Sequence, residues 1–354
     1  HTGHTRHANI QQNKIKILTL QNVQCRLAAI SAGDLVITTL EHFTRDSTNR
    51  TIVINYQNLR SCHRSQRQPG NQTTIDSIPE NVYVFRLIQL WRVTMELADK
   101  IIVVTGGASG IGREMCERFA REGAKHVVVA DRNGEGAAQV AQGINGTAMT
   151  IDVRSEQAIM DMIDQVENSI GPIDLFCSNA GIGIGQGIDE PTEVWQTIWE
   201  VNTMAHVWAA KHLIPKMVAR GGGYLLNTAS AAGLLSQIGS VTYAVTKHAA
   251  VALAEWLSIT HGDQGIKVSV LCPQAVRTAM TANGPGVAGV DGMIEPDAAV
   301  DAVIETLREE RFLVLPHPEV AQYMQRKTAD YDRWLSGMRR LQAQYGKNSM
   351  PEQD

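Results

Sequence analysis

The eight residues Thr105-Gly106-Gly107-Ala108-Ser109-Gly110-Ile111-Gly112 constrain this chain more than any other stretch. They follow the apolar run Ile101-Ile102-Val103-Val104 and open a segment with helical character from Arg113 to Arg121. A strand that turns through glycines into a helix makes an anion site. The helix start offers backbone N–H groups without partners and the positive end of its dipole. Glycines let a pyrophosphate approach the backbone. In this setting the turn predicts a dinucleotide-binding crevice, contacted by Thr105, Gly106, Ser109, Gly110, Ile111 and Gly112.

The chain is not uniform around this feature. The first 94 residues carry 11 Lys and Arg against 5 Asp and Glu, net +6; the remainder carries 21 against 31, net −10. All 12 methionines lie at or after Met95. The leading segment is rich in Asn, Gln, Thr and His, with short apolar runs at 15–20, 35–40 and 82–90 but no sustained period. It reads as a poorly structured extension, residues 1–94, with Met95 as the expected true start. A small accessory domain and an arginine-rich transit peptide are the other readings.

After Met95 the pattern alternates. Strands are predicted at 100–105, 126–131, 147–151, 173–178, 223–229, 266–272 and 312–315. Helices are predicted at 110–122, 134–143, 155–170, 191–220, 242–261, 297–309 and 318–343. Runs such as Val127-Val128-Val129-Ala130 suit a parallel sheet buried on both faces. The fold class is therefore α/β: a Rossmann-like doubly wound parallel sheet in a three-layer α/β/α domain over 95–317. Residues 318–354 form a C-terminal amphipathic helix and tail, and the glycine-rich 278–295 is expected to be a mobile flap.

Bulk properties exclude several classes. There is no apolar run of about 18 residues for a membrane span. The net charge of −4 gives no reason to expect nucleic acid. The five cysteines show no CxxC spacing, so no metal site is expected, and a reducing cytoplasm is the expected location.

Two groups of residues carry chemistry. Asp131 ends the second predicted strand about 20 residues beyond the glycines, where a carboxylate can accept from a ribose 2′-OH and would repel a 2′-phosphate. NAD is therefore expected; Arg132 keeps NADP open. Asp152-Val153 and Asn179-Ala180-Gly181 follow the third and fourth strands, at the edge where such sheets bind ligands. Tyr243 and Lys247, four apart, share a helix face. That spacing alone is weak, since Tyr323 and Lys327 repeat it. Ser230, at the end of a predicted strand, distinguishes the first pair, whereas the matching position before Tyr323 is Glu310 with no strand before it.

From Met95 to about Pro316 the chain resembles the short-chain dehydrogenase/reductase family. The resemblance rests on TGGASGIG at 105–112, Asp131, Asp152, NAG at 179–181, Asn202, Ser230, YAVTK at 243–247 and PQAVRT at 273–278. It implies that Tyr243 exchanges a proton with the substrate oxygen and that Ser230 hydrogen-bonds that oxygen. It implies that Lys247 binds the nicotinamide ribose and lowers the tyrosine pKa, and that Asn202 holds a water linking the lysine to solvent. Pro273, Val276 and Thr278 join the cofactor contacts, and a homodimer or homotetramer is implied through helices beginning near Pro191 and Thr242. Gln274 departs from the family, which has glycine there.

The physics of the pair is consistent with this. A free phenol titrates near 10, too high for a base near neutrality. A cation at about 4 Å is worth about 4 kcal/mol at an effective dielectric of 20, or roughly 3 pKa units. The expected activity is NAD-dependent interconversion of an alcohol and a carbonyl. Expected pocket walls are Ile182, Ile184, Leu234, Leu235, Gln237, Ala279 and Met280, without an arginine clamp, so an uncharged, largely apolar substrate is predicted. A non-catalytic NAD sensor or scaffold and an NADP-dependent carbonyl reductase are the competing readings.

Overall fold

The computed structural model describes residues 95–345 and, in the leading segment, two strands. These are β1 (Ile15–Gln21) and β2 (Asn49–Asn55), paired antiparallel so that Ile15 faces Asn55 and Gln21 faces Asn49. The apolar run at 15–20 thus belongs to a strand. The runs at 35–40 and 82–90, like most of the expected extension, lie outside the described residues.

Residues 92–354 are a separate compact unit. Its sheet contains β3 (Ile101–Thr105), β4 (His126–Asp131), β5 (Thr147–Thr150), β6 (Leu175–Ser178), β7 (Gly223–Thr228), β8 (Ile266–Leu271) and β9 (Leu313–Val314). Their order is β5-β4-β3-β6-β7-β8-β9, all parallel. The chain reverses its direction of travel between β3 and β6. A crevice opens at that switch point, beyond the strands' C-terminal ends.

Side-chain alternation along β3 shows why the sheet is covered on both faces. Ile101 and Val103 enter one core and Ile102 and Val104 the other, and all four are buried. The first core takes Ile159, Met162, Ile163 and Val166 from α3 (Glu156–Ser169), Ala209 and Leu213 from α5 (Ala205–Ala219), and Ala250 and Ala254 from α7 (Val241–His261). The second takes Met115 and Phe119 from α1 (Gly110–Arg121), Val140 from α2 (Gly134–Gly143), and Val300, Val303 and Leu307 from α8 (Pro296–Glu309). Each fully buried side chain of this size contributes about 1.5–3 kcal/mol by leaving water.

Three predicted elements are subdivided. The helix expected over 191–220 is α4 (Thr192–Trp199), a π-turn over Glu200–Met204, and α5. The helix expected over 318–343 is α9 (Glu319–Ala329) and α10 (Tyr331–Tyr345), because Asp330 leaves the helical region at φ −155° and ψ 96°. The flap contains 3-10 turns at Ala279–Thr281 and Gly286–Gly289, and its far end is pinned where the Arg277 N–H donates to the Ile294 carbonyl at 2.9 Å. A short helix, α6 (Ala232–Leu235), follows Ser230 and was not legible in the sequence.

Candidate active site

The glycine turn is held open by its own backbone. Gly106 has φ +68°, a conformation costly for a residue with a side chain, and a Cβ there would stand 2.9 Å from Ala180 Cα. A Cβ at Gly112 would run into the Gly106 carbonyl oxygen. At the starts of α2, α3 and α7, Asn133, Ser155 and Ser240 each accept a backbone N–H through the side chain. Ser109, at the same position of α1, makes no such bond. The first-turn N–H groups of α1 are thus left to an anion, and the turn fits the pyrophosphate of a dinucleotide. Gly110 lies against Thr278, to which a Cβ would come within 3.0 Å, so the segment after β8 closes over the turn.

Asp131 belongs to the same crevice. Its Oδ2 accepts from the Ala108 N–H at 3.0 Å, and its Oδ1 from the Asn133 N–H at 2.9 Å. The carboxylate is thereby fixed against the glycine turn. Asp152 is turned to Arg154, whose guanidinium donates to Oδ2 at 2.6 Å and holds the carboxyl below its ordinary range. Val153 is buried in the first core.

A continuous hydrogen-bond chain links the glycine turn to the chemical residues. Thr105 Oγ1 accepts from the Asn179 and Ala180 N–H groups at 2.9 and 3.1 Å. Asn179 Nδ2 donates to the Thr105 carbonyl at 3.1 Å, and Thr228 Oγ1 donates to Asn179 Oδ1 at 3.0 Å. Lys247 Nζ donates to the Thr228 carbonyl at 3.0 Å. Gly181 lies beside this point: a Cβ there would be 3.3 Å from Lys247 Nζ and 3.4 Å from Asn202 Oδ1. The motif residues that the sequence spreads over some 140 positions therefore meet at one sheet edge.

The start of α7 fixes Tyr243 and Lys247. Ser240 caps the helix by accepting from the Tyr243 N–H at 3.3 Å and donates its own hydroxyl to the Gly185 carbonyl at 2.7 Å. Lys247, 2% exposed, reaches back under the tyrosine, with Nζ 5.6 Å from the ring centre. Burial lowers its pKa to about 8. Tyr243 is partly buried, and its phenol end is withdrawn from water beside Ser230. Burial raises its pKa, and a hydrogen bond with Ser230 works in the opposite direction. The Lys247 ammonium is turned to the Thr228 carbonyl, and desolvation is the largest influence on the phenol.

Ser230 Oγ donates to the Pro273 carbonyl at 3.3 Å and accepts from the Ala232 N–H at 3.1 Å. Asn202 is fully buried in the π-turn. Its Oδ1 accepts from the Ile182 N–H and its Nδ2 donates to the Ile182 carbonyl, both at 2.9 Å. The amide side chain is thus used to brace the loop after β6.

Several features escaped the sequence. Gln274 keeps an ordinary negative φ, so the missing family glycine strains nothing. Its Nε2 donates to Asp291 Oδ2 at 3.0 Å, and Tyr323 Oη donates to Asp291 Oδ1 at 2.8 Å. These bonds tie the end of β8 and α9 to the flap. A cavity of about 770 Å³ opens from Ser230, between α6, the flap, α9 and α10. Leu235 and Gln237 line it as expected, but Ile182, Ile184, Leu234, Ala279 and Met280 do not. Arg326, Arg333 and Arg340 do, which corrects the expectation of a wall without arginines. Their seven-residue spacing was the available signal. His206 and Asn227, both buried beside Lys247's helix, leave His206 Nδ1 and Nε2 and Asn227 Nδ2 without partners.

Comparison with known proteins agrees with this geometry. Residues 100–285 match the family described as short chain dehydrogenase. The chain is 36% identical over 236 residues to 1-deoxy-11-beta-hydroxypentalenate dehydrogenase of Streptomyces exfoliatus, covering 64% of this chain and 86% of that one. It is 32% identical over 232 residues to human epidermal retinol dehydrogenase 2, covering 62% and 75%. A solved short-chain dehydrogenase from Novosphingobium aromaticivorans superposes with a TM-score of 0.59 at 29% identity, over 68% of this chain and 87% of that one. The fold also matches a short chain dehydrogenase/reductase from Burkholderia phymatum solved in complex with NAD, at a TM-score of 0.61 and 24% identity, over 67% and 96%. This chain belongs to the short-chain dehydrogenase family, as an oxidoreductase acting on CH–OH groups with a nicotinamide cofactor.

Proposed function

We propose that this short-chain dehydrogenase interconverts a secondary alcohol and a ketone with NAD, and that Tyr243 moves the proton. One observation supports the reading: the chain of hydrogen bonds Thr105–Asn179–Thr228–Lys247 runs from the glycine turn to the lysine beside the Tyr243 ring. A nicotinamide cofactor held by the glycine turn, Asp131 and Lys247 would supply the hydride chemistry at the carbinol carbon.

The protein's own work is proton handling and positioning. Ser230 and Tyr243 hold the substrate oxygen between two hydroxyls. In reduction the Tyr243 phenol donates its proton to that oxygen; in oxidation it takes the proton back. A phenol is protonated at neutral pH, the form reduction requires, and burial of Tyr243 pushes it further that way. Lys247, buried and tethered to Thr228, holds its ammonium 5.6 Å from the Tyr243 ring centre, where a positive charge favours phenolate during oxidation.

NAD over NADP rests on Asp131. Its carboxylate is fixed by two backbone N–H groups at the crevice, as a ribose diol would use it and a 2′-phosphate would not. The mostly apolar cavity beside Ser230 suits a bulky substrate body, and small-molecule turnover inside the cell is the expected setting.

The test is turnover of a panel of bulky secondary alcohols with NAD by the protein and its Tyr243→Phe variant. Loss of about 10²–10⁴-fold in kcat, with NAD affinity retained, supports the reading. Unchanged kcat in the variant overturns the proton path. A strong preference for NADP overturns the role of Asp131.

A further inference from the structure

Three arginines line the cavity that opens from Ser230. Arg326 comes from α9, and Arg333 and Arg340 come from α10. They stand at i, i+7 and i+14, so that despite the break at Asp330 they fall on the side of these helices that meets the cavity. Cores do not select for such a row. A helix face turned to an apolar pocket ordinarily carries Leu, Met or Trp, and here Trp334, Met338 and Leu341 do fill that role.

The helices are anchored where this matters. Val320 is fully buried and packs with Leu235 in a small cluster that Tyr323 and Trp334 extend. Lys327 Nζ donates to the Leu234 carbonyl at 2.7 Å. The row of guanidiniums is therefore carried on a fixed frame rather than on a loose tail.

Nothing described neutralises the row. Among the described residues, none of the three guanidiniums lies within 4.0 Å of a carboxylate. Arg326 lies over the Tyr323 ring at 5.5 Å, and Arg340 Nη1 donates to the Ser336 carbonyl at 3.3 Å. Asp330 also lines the cavity, but its Oδ1 accepts from the backbone N–H that begins α10, that of Arg333. The cavity is thus bordered by the Ser230 hydroxyl, by apolar side chains such as Leu235, Trp334 and Met338, and by three exposed arginines that outnumber Asp330. Arginine keeps that charge at every physiological pH, and its planar fork matches a compact oxyanion.

We infer that the substrate is amphipathic: an apolar alcohol or ketone carrying a compact anion, of carboxylate or phosphate type, remote from the reacting carbon, which Arg333 and Arg340 select with Arg326. This deepens the proposed oxidoreductase function and rests on it for the identity of the reacting end.

The experiment separates the two. Calorimetry measures binding of 12-hydroxystearate, lithocholate and 12-hydroxyoctadecyl phosphate to the full chain in the presence of NADH. Each carboxylate is run against its methyl ester, and the phosphate against the neutral diol it derives from. Turnover with NAD is followed in parallel. At least one anion is expected to bind tenfold or more tightly than its neutral partner. The Arg333→Ala/Arg340→Ala double variant is expected to erase most of that ratio, and the Arg333→Lys/Arg340→Lys variant to restore part of it. NADH affinity reports that the variants remain folded. The carboxylate and phosphate arms identify the oxyanion. Equal binding of anion and neutral partner, absence of binding by every anion, or an anion preference untouched in the double variant each overturns the inference. An anion preference without oxidation of any probe leaves the arginine site standing and counts against the redox reading instead.

Discussion

At the β3–α1 turn, position is set by the backbone: Gly106 in the left-handed region, Gly112 packed on the Gly106 carbonyl, and Thr105 bonded to the Asn179 and Ala180 amides. On the other side of Ser230, position is set by side chains that reach between distant elements. Gln274 and Tyr323 meet on Asp291, Lys327 meets the Leu234 carbonyl, and arginines from two helices meet one cavity. The first region admits few residue types, because a single added carbon collides with backbone. The second admits many, because packed helices set its shape and its side chains only finish it. A fold of this kind keeps its cofactor edge fixed while its substrate edge is free to vary.

Substitutions on the two sides should therefore differ in size. The largest effect is expected from Gly112→Ala, whose methyl group has no space short of moving the turn. NAD binding should be lost, and stability should fall by roughly 3 kcal/mol as for other overpacked sites. Calorimetric NAD affinity and the midpoint of denaturant unfolding check both, and near-normal NAD binding in this variant would break the contrast. Next comes Gln274→Ala, which releases one of the two groups holding Asp291. It should raise KM for the substrate about threefold to tenfold, the size of one hydrogen bond of ordinary net strength, about 0.5–1.5 kcal/mol, with little change in NAD affinity. An equal loss in both constants would mean that the two regions are not separable.

The dependence on pH sharpens the comparison from the chemical side. Burial raises the Tyr243 phenol and lowers Lys247 to about 8. Reduction uses the protonated phenol and should hold level through neutral pH. Above about pH 8 the lysine, then the phenol, lose their protons, and kcat/KM for the carbonyl should fall. A profile that falls below neutrality would contradict this. A second dependence on pH, in stability rather than in rate, is expected at His206. Burial lowers its pKa to about 3 from an ordinary 6.5, so the unfolded chain binds a proton there between those values and the folded chain does not. Stability should fall as pH drops through that window. His206→Leu should flatten this limb in thermal unfolding followed from pH 7 to pH 4.

How much was legible in the sequence follows the same division. Strand positions came out nearly residue for residue, because runs such as Val127-Val128-Val129 alternate with amphipathic segments and parallel strands must be buried on both faces. The glycine turn and Asp131 were readable from their places at predicted strand ends, and the Tyr243–Lys247 pair from Ser230 before it, since spacing alone also marks Tyr323 and Lys327. The π-turn at Glu200–Met204 was not, since nothing in residue type marks one extra residue in a helical turn. Neither was the break at Asp330, where the apolar period continues on both sides. The arginines could have been found, since 326, 333 and 340 repeat at seven, but only packing against α6 shows that they face the cavity. The bond from the Lys247 ammonium to the Thr228 carbonyl was not readable, because it joins a helix to a strand end 19 residues earlier.

The most direct test of the claim that the glycine turn and Tyr243 form one site is a crystal structure of the chain with NAD. The pyrophosphate should lie on the first turn of α1, between Ser109 and Gly112, with the adenosine ribose at Asp131 and the nicotinamide ribose against Tyr243 and Lys247. A dinucleotide whose nicotinamide end lies away from Ser230 and Tyr243 would contradict the account.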